Sequence, residues 1–223
     1  VTDRPPPGMR TLGTDAPRSR IVLVRHGEPV AATLGLVGGP VGDTGLTERG
    51  REQVRVLAER LAASAELGAV AALYASTLPR AIETAELLAP ALGGLAVRVR
   101  HDLREHDPGA LDGLTWAEVT ANHAPPDLGL EPDRPVAPGG ESLRGFHERA
   151  RAALSALAER HAGETTVVAC HGGIVAAAVG LCFGVPPSAR LPLPTRYASM
   201  TELEVTERGW RLGRYNDRYP VTD

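Results

Sequence analysis

Lysine is absent from this 223-residue chain, so all 24 of its strongly basic side chains are arginines. That excludes Schiff-base chemistry on a lysine and a phosphate loop built around one. Cysteine is scarce as well. Cys170 and Cys182 are the 2 present, both in apolar surroundings, too few for a disulfide framework. No apolar run reaches the length of a membrane span, and none near the N-terminus has the form of a signal peptide. A cytoplasmic protein with no membrane partner is therefore expected. An excess of basic charge is missing too: a formal net charge of −3 argues against a surface that binds nucleic acid.

What the chain does have is apolar content, 43% of its residues, enough for the core of one domain at this length. Residues 1–19 carry Pro5-Pro6-Pro7 and Pro17 without periodicity and read as a disordered tail. Residues 20–223 read as a single domain. Within it, Ile21–Val24, Val70–Tyr74, Leu95–Val99 and Thr166–Cys170 are apolar runs of strand length, three of them of the kind buried in a parallel sheet. Helical spacing is expected over 48–65, 79–92, 142–161 and from Gly172 to near Gly184, with a shorter helix over 115–122. Leu34 to Gly45 holds five glycines and one proline and reads as a loop, apolar enough to suggest a mobile cover. The alternating stretches 199–206 and 210–215 flank a turn at Glu207-Arg208-Gly209 and predict a closing hairpin. Strands alternating with helices imply an α/β fold, a three-layer α/β/α sandwich with a mostly parallel central sheet.

Two of the strands end in a histidine followed by glycine, at His26-Gly27 and His171-Gly172. Parallel strands bring both imidazoles to one sheet edge, where open α/β folds bind ligands. Arg25-His26-Gly27 alone reads equally as a structural histidine closing a strand. Arg80, in the first turn of the helix after another strand, reaches the same edge, and Glu105 follows the third. Two guanidinium groups and two imidazoles suit a dianionic phosphate, and Gly172 would add a backbone N–H from a helix N-terminus.

Five blocks in order carry a resemblance: Arg25-His26-Gly27, Ser76-Thr77-Leu78-Pro79-Arg80-Ala81, Leu103-Arg104-Glu105 through Gly113, Pro138-Gly139-Gly140-Glu141-Ser142, and Cys170-His171-Gly172-Gly173. From about Ile21 to Asn216 the chain resembles the histidine phosphatase superfamily, in its phosphoglycerate-mutase-like branch. The resemblance implies a metal-independent phosphatase for small-molecule phosphate monoesters, with no cofactor and a phosphohistidine intermediate. It implies His26 as nucleophile, Arg25, Arg80 and a protonated His171 as phosphate ligands, and Glu105 as the acid that protonates the leaving oxygen. Dimers are common in that family, so the resemblance is compatible with a homodimer.

The residues leave alternatives. Arg25 could pair with Glu28, Asp107 could replace Glu105 as the acid, and His101, Asp102, His106 and Asp107 invite a metal reading that their spacing does not support. Glu141 and Ser142 read as tethers of the helix they precede, and Cys170 as packing. Ala31, Ala32 and Thr33 stand where many relatives of this family have a phosphate-binding asparagine, so Thr33 is the candidate substitute. Tyr197 stands where another asparagine is frequent. The leaving group is open, with Arg190 and Arg196 in reach and a carboxylated or sugar monophosphate as the guess. Asp127, Glu131 and Asp133 outnumber Arg134 in the segment 122–140, which retains a bisphosphate poorly. That favours hydrolysis over a mutase (isomerase) reaction, with a non-catalytic phospho-ligand binder as a third reading.

Overall fold

The computed structural model describes residues 19–218; the expected tail, apart from Ser19, lies outside the described residues. Six strands form one sheet: β1 (Ser19–Arg25), β2 (Val70–Ser76), β3 (Val97–Arg100), β4 (Thr165–Cys170), β5 (Met200–Thr206) and β6 (Gly209–Asp217), in the order β3-β2-β4-β1-β5-β6. The first four are mutually parallel, and the hairpin β5–β6 adds antiparallel to β1. This is the expected α/β architecture.

The aliphatic runs are buried on both faces because alternate residues feed two cores. Ile21, Leu23, Val168 and Cys170 pack with Phe146, Leu154 and Leu157 of α5 (Leu143–Arg160) and Ile174 of α6 (Gly172–Cys182). Val22, Val24, Val167 and Ala169 pack instead with Val54, Leu57 and Leu61 of α2 (Glu48–Ser64) and with Leu88 of α3 (Pro79–Leu88). Complete burial stabilises each valine, leucine or isoleucine among them by about 1.5–3 kcal/mol, which pins the strand register and with it the strand ends. The helix signals also hold locally. Thr47 caps α2 by accepting from the Gly50 N–H at 2.9 Å, and Ser142 caps α5 through the Gly145 N–H at 3.1 Å. Among the described residues, no helix is long and apolar enough to cross a membrane.

Four details depart from expectation. The helix from Pro79 stays α-helical only to Leu88 and tightens to a 3₁₀ turn over Ala89–Leu92, because Pro90 has no N–H to continue the ladder. The third strand starts at Val97, two residues later than its apolar pattern suggests. A one-turn helix, α1 (Val30–Thr33), follows β1. The glycine-rich loop is tied down: Asp112 accepts the N–H groups of Gly39, Val41 and Gly42 at 2.9, 2.7 and 2.9 Å, and Val37 bonds to Leu114 and Gly113. It is a pinned wall, not the expected mobile cover. The helix α4 (Trp116–Asn122) lies beside it, joined by Trp116 N–H to Gly35 O at 2.9 Å.

Candidate active site

β1 and β4 run side by side with Arg25 opposite Cys170, so the next residue on each, His26 and His171, leaves the sheet together. Their ring centroids are 5.3 Å apart. The chain turns past His26 at Gly27, where a Cβ would overlap the Gly50 carbonyl of α2; only glycine allows that approach.

The His26 ring is set by its neighbours. Nδ1 lies 2.7 Å from the Gly27 carbonyl oxygen, so Nδ1 carries the proton and Nε2 keeps its lone pair. Nε2 accepts from Arg80 Nε at 3.1 Å. Burial first, then the positive charge of Arg80, hold the imidazole neutral, well below the ordinary histidine range, against the opposing pull of the Gly27 carbonyl. Arg80 is fixed by the buried Asp43, whose Oδ2 accepts from its Nη1 at 2.9 Å and from its backbone N–H at 3.2 Å, while Gly38 O accepts from Nη1 at 2.8 Å.

His171 is also neutral. Its Nε2 is 2.6 Å from Ser76 Oγ, which itself accepts the Leu78 N–H at 3.2 Å. The hydroxyl proton has no other acceptor among the described residues, so it is best placed on the Nε2 lone pair, which leaves the ring proton on Nδ1. Burial, then Arg80 and His26, push this ring well below the usual range in the absence of a phosphate dianion. Arg25 donates to the Thr195 carbonyl and lies over the Tyr197 ring at 4.2 Å. It does not pair with Glu28, whose carboxylate accepts from Thr47 Oγ1 at 2.9 Å. Two buried nitrogens at this edge have no hydrogen-bond partner, Arg25 Nε and His171 Nδ1. Other buried side-chain atoms, Arg104 Nε and Arg151 Nε among them, also lack a partner, so what singles out Arg25 is that it lines a cavity. Gly172 opens α6 here: a Cβ on it would sit 3.7 Å from Arg25 Nε.

Glu105 reaches the same place. Its Oε2 accepts the Gly173 N–H at 3.0 Å and its Oε1 the His106 N–H at 3.0 Å. Arg149 of α5 grips the carbonyls of Asp102, Arg104 and Glu105 at 2.8, 3.0 and 3.3 Å and is paired with Glu141 at 2.6 Å. Glu141 therefore tethers this helix, as expected. Asp107 pairs with Arg104 at 3.2 Å, and Asp102 with Arg100 at 2.5 Å, so neither competes with Glu105. Cys170 sits in the core with its thiol pushed up by burial.

A cavity of about 710 Å³ opens onto Arg25, His26, Arg80, Glu105 and Tyr197. His171 is fully buried and does not line it; it touches the site through the His26 ring. Thr33 is a correction: its hydroxyl donates to Val30 O at 2.8 Å, closing its own helical turn, and the side chain is exposed away from the cavity. Arg190 lines the cavity, whereas Arg196 does not. Sequence reading missed Asp43, Ser76, Asp112 and Arg149 as supports. Asp43 had one signal, being the lone charge in an otherwise apolar glycine loop.

The family model of the histidine phosphatase superfamily (branch 1) matches residues 21–218. Phosphoglycerate mutase-like protein 4 of Arabidopsis thaliana is 34% identical over 164 residues, 72% of this chain and 70% of that protein. A metal-independent phosphoserine phosphatase of the same plant is 35% identical over 162 residues, 71% of this chain and 66% of its relative. The solved structure of a mycobacterial glucosyl-3-phosphoglycerate phosphatase, 29% identical, superposes with a TM-score of 0.72 over 89% of this chain and 99% of its own. With the model matched across almost every described residue and the two histidines on adjoining strand ends, the chain belongs to the histidine phosphatase superfamily, branch 1.

Proposed function

We propose that the protein is a phosphatase that hydrolyses small-molecule phosphate monoesters through a phosphohistidine on His26, with no metal taking part. The observation that carries this reading is the neutral His26, its Nδ1 proton held by Gly27 and its Nε2 lone pair at the cavity beside two guanidinium groups.

Nε2 attacks phosphorus as the bond to the ester oxygen breaks. Arg80 and Arg25 take the phosphoryl oxygens, while His171, buried behind them, holds the His26 ring in place. The N-terminus of α6 at Gly172 adds its dipole. Glu105 gives its proton to the departing alkoxide. Water then attacks the phosphohistidine, Glu105 takes the water's proton, and the P–N bond breaks to leave phosphate and neutral His26. The positive ends needed to balance the transferring group are thus built into the chain.

A mutase shares the first half of this sequence but must hold a second phosphoryl group. Beyond Arg25 and Arg80, the cavity's remaining guanidinium among the described residues is Arg190, which supports hydrolysis. Alkaline quenching during turnover of a ³²P-labelled ester tests the reading. An acid-labile, base-stable label on the wild type, missing from His26→Ala together with activity, is the expected result. Residual turnover above a few per cent in His26→Ala would refute the nucleophile.

A further inference from the structure

Past the phosphate end, the cavity wall is apolar. Leu36, Val37, Leu111, Trp116, Leu128 and Val136 line it, and Val37, Leu111 and Val136 belong to a packed cluster of their own with Val119. Asp112 holds the loop that carries Leu36 and Val37, so that side of the wall is preformed. The polar groups there are already engaged or peripheral. His106 Nε2 is 3.0 Å from the Glu141 carbonyl, and Asp127 accepts the Gly129 N–H at 2.8 Å. Arg190 is exposed. Trp116 also lines the cavity, yet it is 59% exposed: a large aromatic face left open where a ligand enters.

A carboxylated or polyhydroxylated leaving group would lose water against this wall and recover one cation at most, an unfavourable exchange. An apolar group gains from the same burial. We propose that the substrate is the phosphomonoester of an apolar alcohol, an aryl or alkyl group seated on Trp116 and Leu128. The inference rests on the phosphatase reading for its chemistry and replaces the carboxylated or sugar monophosphate that the sequence suggested.

The test is a series of n-alkyl phosphates from methyl to hexyl, with phosphoserine and 3-phosphoglycerate alongside. Alkanols share similar leaving-group basicity, so chain length isolates the wall. kcat/KM should rise about threefold per methylene, and the two carboxylated esters should fall below hexyl phosphate. Trp116→Ala and Leu128→Asp should each compress the hexyl-to-methyl ratio about fivefold or more. A flat series, or a preference for either carboxylated ester, overturns the proposal. If no ester at all releases phosphate, p-nitrophenyl phosphate included, the hydrolytic reading fails instead. Calorimetry with alkylphosphonates then decides the pocket: hexylphosphonate binding about tenfold or more tighter than methylphosphonate supports it, and equal affinity overturns it.

Discussion

Arg80 donates from Nε to Nε2 of His26 at 3.1 Å, the nitrogen through which the ring would attack phosphorus. In the proposed mechanism the guanidinium guards that lone pair before substrate arrives and turns to the phosphoryl oxygens when it does. Asp43, buried beneath it, fixes the plane in which that exchange happens.

Asp43→Asn keeps the shape and removes the charge. Breaking a buried pair from one side leaves Arg80 uncompensated, a loss of about 3–5 kcal/mol, visible as a lower urea midpoint. Inorganic phosphate or vanadate should restore more stability to this variant than to the wild type, since the anion supplies the missing charge. Equal stabilisation of the two proteins would show that Asp43 does not govern Arg80.

Glu105→Gln retains the hydrogen bond from Gly173 but has no proton to give. Turnover of alkyl phosphates should fall about 10²-fold or more, and that of p-nitrophenyl phosphate much less, because its leaving group needs little help. Equal losses on both substrates would remove Glu105 from the role of acid. EDTA should leave the wild-type rate on either substrate unchanged; a metal requirement would contradict the site as drawn.

The residues at strand ends were legible because topology does the gathering. Aliphatic runs such as Ile21–Val24 announce buried parallel strands, and a parallel sheet then delivers His26, His171 and the Arg80 helix to one edge without further information. The partners of the supports were not legible, even where a lone charge such as Asp43 stands out. Asp43 meets Arg80 across 37 residues, and Arg149 meets Glu105 across 44; such pairings leave no periodic trace. Thr33 departs from expectation for a local reason. A threonine in a helix can bond back to the carbonyl three residues earlier, and Thr33 does so, which turns it from the cavity. The neutrality of His171 depends on burial and on Arg80, quantities that exist only after folding.

Ser76→Ala probes the tautomer of His171. Losing the hydroxyl leaves Nε2 buried without a partner, at a cost of about 1–3 kcal/mol, and frees the proton to move from Nδ1 to Nε2. kcat/KM should drop about tenfold, and ring ¹⁵N shifts should move from the Nδ1–H pattern toward the other tautomer. Unchanged shifts with unchanged activity would mean that the ring needs no such partner.

The two buried imidazoles also set how the fold answers to acid. His26 and His171 are both held below the ordinary value of 6.5, so above that pH neither the folded nor the unfolded chain protonates them. Below it, the unfolded chain takes up protons that the fold refuses, and stability falls as pH falls. The slope should approach about 1.4 kcal/mol per pH unit for each histidine, with His147, lowered for the same reason of burial, adding to it. Paired carboxylates such as Asp102 and Glu141 are held below their ordinary 3.8 and 4.5 and act lower still, which leaves the window from 6.5 to 5 to the histidines. Urea midpoints at pH 7, 6 and 5 measure the effect, and His171→Asn should flatten it by about one histidine's worth. Stability constant down to pH 5 would mean that the imidazoles take up protons inside the folded protein, and the nucleophile would then be lost to acid along with them.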